Sequence, residues 1–471
     1  MVGLRFHRAA APLIVLAATA WCLGCGNGAA DSASTSDSAT FLVGVAKRNI
    51  TPSMPVFLGG YGEPNERRLS TGVLAPIFVR ALVISDGRQS IAIVQSDTQG
   101  AFAAYKRGAF GLADVAREVE RETGGAIPRT HVIVSSAHTH SGPDTTGVWR
   151  GLRNEYLEFL EEHTIGVIVD AFRALRPAHL WTGTADATEL LRSQFSEPPN
   201  DRVSGELRVL IAVDAQDRQR YRAVLINFAA HATVMGPSNT LISGDWPEAV
   251  AVMAEDVLPT DMAVVMIADC GRTQPNRDGT DGQSEPEKLS AYTTAVTSRV
   301  VDATRNLTPV HDADVTAAQL FLRERYANPI YPVDLLKGVI DRADTPPWLD
   351  GDFVGTVVSA ARVGDVLFTG VPGEAYPGIL SELQGRVPAH RHFIFGLAND
   401  QLGYLIAPQE NYQQVFDAQQ DNDNAAFNVS PAIGDHVMCT LLAAARTVGF
   451  TLPPDPDRCI PYVNENHALP F

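Results

Sequence analysis

Residues 131–143 read His131-Val132-Ile133-Val134-Ser135-Ser136-Ala137-His138-Thr139-His140-Ser141-Gly142-Pro143. The apolar, β-branched run inside 131–136 has strand length and falls short of a helix, so a buried strand is expected there. A polar cluster follows it without a spacer. In α/β proteins ligands gather where loops leave the ends of strands held in a rigid sheet. Within such a cluster, residues two apart in an extended chain face the same way, which lets His138 and His140 share one site. Neutral imidazoles in that arrangement suit a borderline metal such as zinc; the alternative is two histidines satisfied by local hydrogen bonds.

The same alternation of strand and helix signals continues outward. Ala81–Ile84 and Ile91–Val94 flank Asp86-Gly87, a hairpin pattern. Leu112, Val115 and Val119 share a helical face that ends at Gly124-Gly125, and Tyr156, Leu160, Ile168, Phe172 and Leu175 mark a longer helix stopped by Pro177. Arg222–Phe228, Ala263–Ile267 and Phe393–Leu397 read as strands, and Thr356–Ala361 with Val366–Thr369 as a hairpin around Gly364-Asp365. Ser284-Glu285-Pro286-Glu287 is a capping box opening a helix, and Ser430-Pro431 starts a last one. A loop-rich insertion is expected around Pro329–Asp352. The fold class is α/β: one large catalytic body, residues 41–471, of mixed β-sheets layered with helices.

Three further clusters follow apolar strands. Asn227-Phe228-Ala229-Ala230-His231 places one histidine, which gains weight from the first pair because zinc draws its ligands from more than one segment. Gly370-Val371-Pro372-Gly373-Glu374 sets a carboxylate on a shaped loop, suited to a metal ligand or general base, or to a helix N-terminus. Asn399-Asp400-Gln401-Leu402-Gly403-Tyr404 ends in an aromatic that, taken alone, reads as a half-buried turn residue. Asp97 and Asp245 either orient a histidine or cap a turn.

Composition narrows the function. The 471 residues suit roughly two to four average domains or one large enzyme body. Acids outnumber bases 54 to 37, a net charge of −17, which argues against a general nucleic-acid binder. Residues 1–25 read as an export signal: Arg5 and Arg8, a short apolar run from Ala9 to Trp21, then Cys22-Leu23-Gly24-Cys25. That ending resembles a bacterial lipoprotein cleavage box, so Cys25 is expected to be lipidated and the protein exported and held on a membrane facing the periplasm or exterior. Residues 26–40 have the composition of a flexible tether. Outside the cytoplasm disulfides persist; Cys439 and Cys459 either pair, leaving Cys270 free, or all three are buried thiols.

Together these segments resemble the catalytic N-terminal domain of the neutral/alkaline (non-lysosomal) ceramidase family. The resemblance runs from Val43-Gly44-Val45-Ala46 through Asn49-Ile50-Thr51-Pro52 and Gly60-Tyr61-Gly62 to about Asp417. It includes His138-Thr139-His140-Ser141-Gly142-Pro143, His231, Pro372-Gly373-Glu374 and Gly403-Tyr404. It implies a zinc amidase working through a metal-activated water, with an N-acyl lipid or another amide as substrate. By the same resemblance His138, His231, Glu374 and Tyr404 bind zinc, His140 is the catalytic partner, and Arg192 matches an arginine that helps hold the substrate or the polarised oxygen.

The chain also departs from the family pattern. The family loop Gly-Asp-x-Ser-Pro-Asn is here Gly271-Arg272-Thr273-Gln274-Pro275-Asn276, and a family tyrosine is replaced by Phe416. Fuller members carry a C-terminal β-sandwich domain that this chain is expected to lack. Arg192 or Gln274 is expected to donate to the developing oxyanion. Arg272 is expected to add a cation near the metal and disfavour ceramide, unless it is a solvated loop charge and Gln274 only braces the turn. A hydrolase of an ester, or a surface binding protein on the same fold, are the alternative functions.

Overall fold

The turn at Asp86-Gly87 joins Phe78–Ser85 to Ser90–Ser96 in an antiparallel hairpin, as its sequence predicts. Both strands are buried on both faces: Ile91 and Ile93 enter one apolar cluster, Ala92 and Val94 another. The computed structural model describes residues 39–62, 67–194, 203–328, 333–407, 424, 427–459 and 467–470, which fall in one unit running from Asp37 to Phe471. The expected signal with Cys25, residues 26–38 of the expected tether, and Phe416 lie outside the described residues, whereas Thr40, assigned to the tether, opens the first strand.

The larger sheet runs in the spatial order Ala263–Ile267, Tyr221–Phe228, Glu206–Asp214, Arg176–Asp186, Thr40–Asn49, Phe78–Ser85, Ser90–Ser96, Val132–Ser136. Its interior pairs are antiparallel, but the pair at each end is parallel. The sheet curls until its two ends approach: Val265 N donates to Gln95 Oε1 at 3.2 Å, and the buried Arg80 reaches the Ala263 carbonyl at 3.1 Å. Inside the curl, Ile91, Ile93 and Ile133 pack with Phe368, Phe393 and Phe395 of a smaller sheet, ordered Val315–Arg325, Phe353–Val363, Val366–Gly370, Arg391–Phe395. The last pair of that sheet is parallel as well. Outside the curl lie helices Leu112–Glu122 and Asn154–Arg173, the latter so close that a Cβ on Gly44 would stand 2.0 Å from the Ala171 carbonyl.

The capping box at Ser284 is formed and opens the helix Glu285–Ala303. Among the described residues the last α-helix, Ile433–Thr447, begins just after Ser430-Pro431, and Cys439 is bonded to Cys459, leaving Cys270 a buried free thiol. The expected loop-rich insertion contains a short helix, Val333–Val339. The helix Asp245–Val257 begins at the carboxylate expected only to orient a histidine or cap a turn. Among the described residues no helix is long and apolar enough to cross a membrane.

Candidate metal centre

Each parallel pair sends both of its strand ends toward one place. Ser96 leads into Asp97-Thr98-Gln99, Ser136 into His138 and His140, Phe228 into His231, and Ile267 into Cys270. From the smaller sheet, Gly370 leads into Glu374 and Phe395 into Tyr404. The segments 396–399 lock the two sheets together. Gly396 N donates to the Ile267 carbonyl at 2.9 Å, Ser135 Oγ to the Gly396 carbonyl at 2.6 Å, and Val134 N to Asn399 Oδ1 at 2.8 Å.

His138 Nε2 lies 3.2 Å from His231 Nε2 and 3.4 Å from Glu374 Oε2, and His231 Nε2 lies 3.0 Å from the same oxygen. His140 Nε2 is 3.4 Å from His138 Nε2. The tautomers of two of these rings follow from their other nitrogens. His138 Nδ1 faces the Gln99 carbonyl at 2.7 Å and His231 Nδ1 the Cys270 carbonyl at 2.9 Å. A carbonyl only accepts, so each Nδ1 carries the proton and each Nε2 presents a lone pair. Two lone pairs and a carboxylate oxygen then face one another in a buried space, which a central cation reconciles. The spacing fits one: ligands about 2.0–2.1 Å from a tetrahedral ion stand roughly 3.3 Å apart.

His138, His231 and Glu374 close a triangle, whereas His140 stands beside it. His140 is also the most accessible, at 9% exposure against 2% for His138 and 1% for His231. Its ring packs edge-on to Tyr61 at 4.6 Å and its Nδ1 is buried without a hydrogen-bond partner. Burial, then the neighbouring His138 and His231, push its pKa well down. Tyr404 is the register partner of Glu374 in a two-residue parallel ribbon; Glu374 N donates to the Gly403 carbonyl at 2.9 Å and Asn428 Nδ2 to the Tyr404 carbonyl at 2.9 Å.

The extended-chain argument for His138 and His140 needs correction. His138 has φ +54°, in the left-handed region, and 137–139 are not strand. The rings converge through a bend, with both sides of it fixed by hydrogen bonds from Ala137 N to the Ser96 carbonyl and His140 N to the Ala232 carbonyl. Neither aspartate orients a histidine directly. Asp97 accepts from Phe78 N and Gln95 Nε2, and Asp245 accepts from Val234 N, Met235 N and Trp246 N, bracing the chain after His231.

Gln274 and Arg192 are register partners in the ribbon Leu191–Ser193 with Thr273–Pro275, where Arg192 is exposed. Gln274 Oε1 accepts from Thr233 Oγ1 at 2.7 Å, so this side chain does brace the His231 loop. Arg272 is buried rather than solvated, donating to Ser193 Oγ at 3.2 Å with its guanidinium 6.0 Å over the Tyr376 ring. The loop bears on both donor segments: Thr273 O accepts from His231 N at 3.0 Å, and Gly271 N donates to the Ala375 carbonyl at 2.8 Å. The carbonyls of Gln99 and Cys270 were not legible in the sequence, since every residue offers a carbonyl.

A family model described as neutral/alkaline non-lysosomal ceramidase, N-terminal, matches residues 41–326, a span that ends before Glu374 and Tyr404. No curated protein matches the sequence significantly. Among solved structures the chain is similar to neutral ceramidase from Pseudomonas aeruginosa, with a TM-score of 0.70 and 16% identity over 90% of this chain and 77% of that one. It is also similar to a ceramidase complexed with C2, with a TM-score of 0.68 and 16% identity over 89% and 77%. At that identity the likeness to solved structures is one of fold.

Proposed function

Because the chain belongs to the neutral/alkaline non-lysosomal ceramidase family, we propose that it is a zinc-dependent hydrolase of the amide bond of an N-acyl lipid. The observation that carries the metal is the buried triangle of His138, His231 and Glu374, in which both imidazoles turn lone pairs inward. These three, with Tyr404, are assigned as the zinc ligands. A zinc ion there would supply Lewis acidity and an acidified water.

The chain's own residues carry the remaining steps. Hydrolysis adds water across the carbonyl carbon–nitrogen bond, so the acyl part leaves as an acid and the nitrogen must gain a proton. His140, beside the triangle and more accessible than its members, takes a proton from the attacking water and passes it to that nitrogen. Gln274 and Arg192, opposite one another on their ribbon, donate to the oxygen as it gains charge. Ceramide itself is expected to be a poor substrate, because the loop 271–276 departs from the family pattern while bracing two donor segments.

Elemental analysis of the soluble body, beside hydrolysis of a panel of N-acyl and ester substrates, tests this reading. About one zinc per chain in the wild type, lost in His231→Ala together with amide hydrolysis, is the expected result. A wild type without stoichiometric metal would sink the proposal, and cleavage of esters alone would replace the amide. Anchoring through Cys25 is a separate proposal, motivated by the apolar run before it; Cys25→Ser should release the protein from the membrane fraction, and a wild type already fully soluble would overturn it.

A further inference from the structure

The histidines of the centre are oriented by different means. A carbonyl holds Nδ1 of His138 and another holds Nδ1 of His231, whereas Nδ1 of His140 is buried and meets no partner. A hydrogen bond to the far nitrogen is what ordinarily fixes the plane of an imidazole. The ring of His140 is set instead by what packs around it and by what grips its backbone.

Both lead to Arg68. Its half-buried guanidinium donates through Nη2 to the His140 carbonyl and, at 2.8 Å, to the Gly59 carbonyl, while Nη1 reaches toward the Pro237 carbonyl at 3.5 Å. The same guanidinium lies 4.8 Å over the Tyr61 ring, and that ring meets the imidazole edge-on at 4.6 Å. Between Gly59 and Tyr61, Gly60 leaves the imidazole its room: Cγ, Nδ1 and Cδ2 of His140 lie 2.3, 2.5 and 2.6 Å from where a Cβ would stand. The loop after His231 closes the other side, since Tyr61 Oη donates to the Met235 carbonyl at 2.9 Å and His140 N to the Ala232 carbonyl at 3.2 Å. The shelf, the His140 backbone and the loop after His231 thus meet on one side chain. The groups that Arg68 touches there are carbonyls and a ring face, which only accept, and the planar fork of a guanidinium suits that set better than a point ammonium.

We infer that Arg68 is a positioning residue for His140, holding the imidazole on the Gly60 shelf with Nε2 toward the centre, 3.4 Å from His138 Nε2. The inference rests on the reading of His140 as the group that moves the proton in amide hydrolysis, and it assigns the residue that aims it. Arg68 acts through His140, so its loss falls on kcat, while substrate affinity and the metal stay as they were.

The test compares wild type with Arg68→Met, which keeps an unbranched stem and removes the donors. Zinc content and melting temperature are measured first, and zinc is expected near the wild-type level. On an N-acyl amide KM is expected to hold, while kcat falls at least about 10-fold, toward the roughly 100-fold cost of a 1 Å misplacement. Arg68→Lys, which keeps the charge and a donor for the His140 carbonyl, is expected to recover part of the loss. A second readout needs no turnover: in carbon-13 spectra of ring-labelled histidine, the line that His140→Ala removes is expected to move in Arg68→Met, while the lines removed by His138→Ala and His231→Ala stay in place. Should Arg68→Met not fold, Arg68→Lys is read in its place, with a smaller fall in kcat and a shift of the same line. A kcat near wild type, an unmoved His140 line, or zinc lost along with activity overturns the inference and leaves Arg68 a brace of the loops. A wild type that cleaves no amide overturns the amide-hydrolase reading itself, and this inference with it.

Discussion

A methyl group on Gly60 would stand 2.3 Å from the His140 ring, and Gly60 has φ +91°, where only glycine is at ease. Gly60→Ala is therefore expected to push the imidazole aside. Since His138, His231 and Glu374 do not touch Gly60 in this way, zinc content should stay near wild type while kcat/KM falls about 100-fold, the usual cost of a misplacement near 1 Å. Loss of zinc along with activity would instead make His140 a ligand. The pairing of His138 with His140 was legible in the sequence because both follow one apolar strand. The left-handed turn at His138 that achieves it was not, because φ above zero at a non-glycine residue is imposed by surrounding hydrogen bonds rather than by local preference.

At the scale of elements, the strands that carry the centre were readable from short apolar runs: 132–136, 221–228, 263–267, 366–370 and 391–395 all lie on or beside expected strands. The long strands Arg176–Asp186, Glu206–Asp214 and Val315–Arg325 were not: Pro177 and Gly183 break the first pattern, Arg208 interrupts the second, and the third closes on Arg323-Glu324-Arg325. Arg208, for example, is buried and paired with Glu206, a pairing that no apolar pattern announces. Helix Asn154–Arg173 was legible, but its electrostatic setting came only with packing against Leu112–Glu122. There the carboxyl of Glu161 is raised to about 7 by burial and by the nearby acids Asp114, Glu118 and Glu158. An acid whose folded pKa lies above its unfolded value, about 4.4, favours the fold fully below that value and loses the contribution as pH rises through 7. Glu161→Gln mimics the protonated form. Melting curves are expected to show no difference from wild type at pH 4 and a gain of about 1 °C at pH 8, small because the group is partly solvated. An equal shift at both pH values would mean the charge is not its cause.

At the scale of the whole molecule, the donors come from both ends of one curled sheet and from the second sheet packed inside it. Topology of that kind is decided by pairings between distant segments, which is why the sequence suggested layers but not the curl. Removing the metal with a chelator is expected to lower the melting temperature by several degrees, and restoring zinc to recover it, because an ion bound only by the folded state stabilises it in proportion to the logarithm of its saturation. A melting temperature indifferent to chelation would argue that the donors are held as firmly without an ion. The approach of the sheet's two ends has one more consequence. Among the described residues no ladder of backbone hydrogen bonds joins Ala263–Ile267 to Ser90–Ser96 or Val132–Ser136; the link is made by side chains such as Gln95. The barrel-like wall thus has an unsewn seam, and the donor cluster sits at its open end. An ion bound there would act as a rivet, so amide hydrogens along both lips of the seam should exchange faster in the stripped protein while those of the antiparallel strands opposite keep their pace.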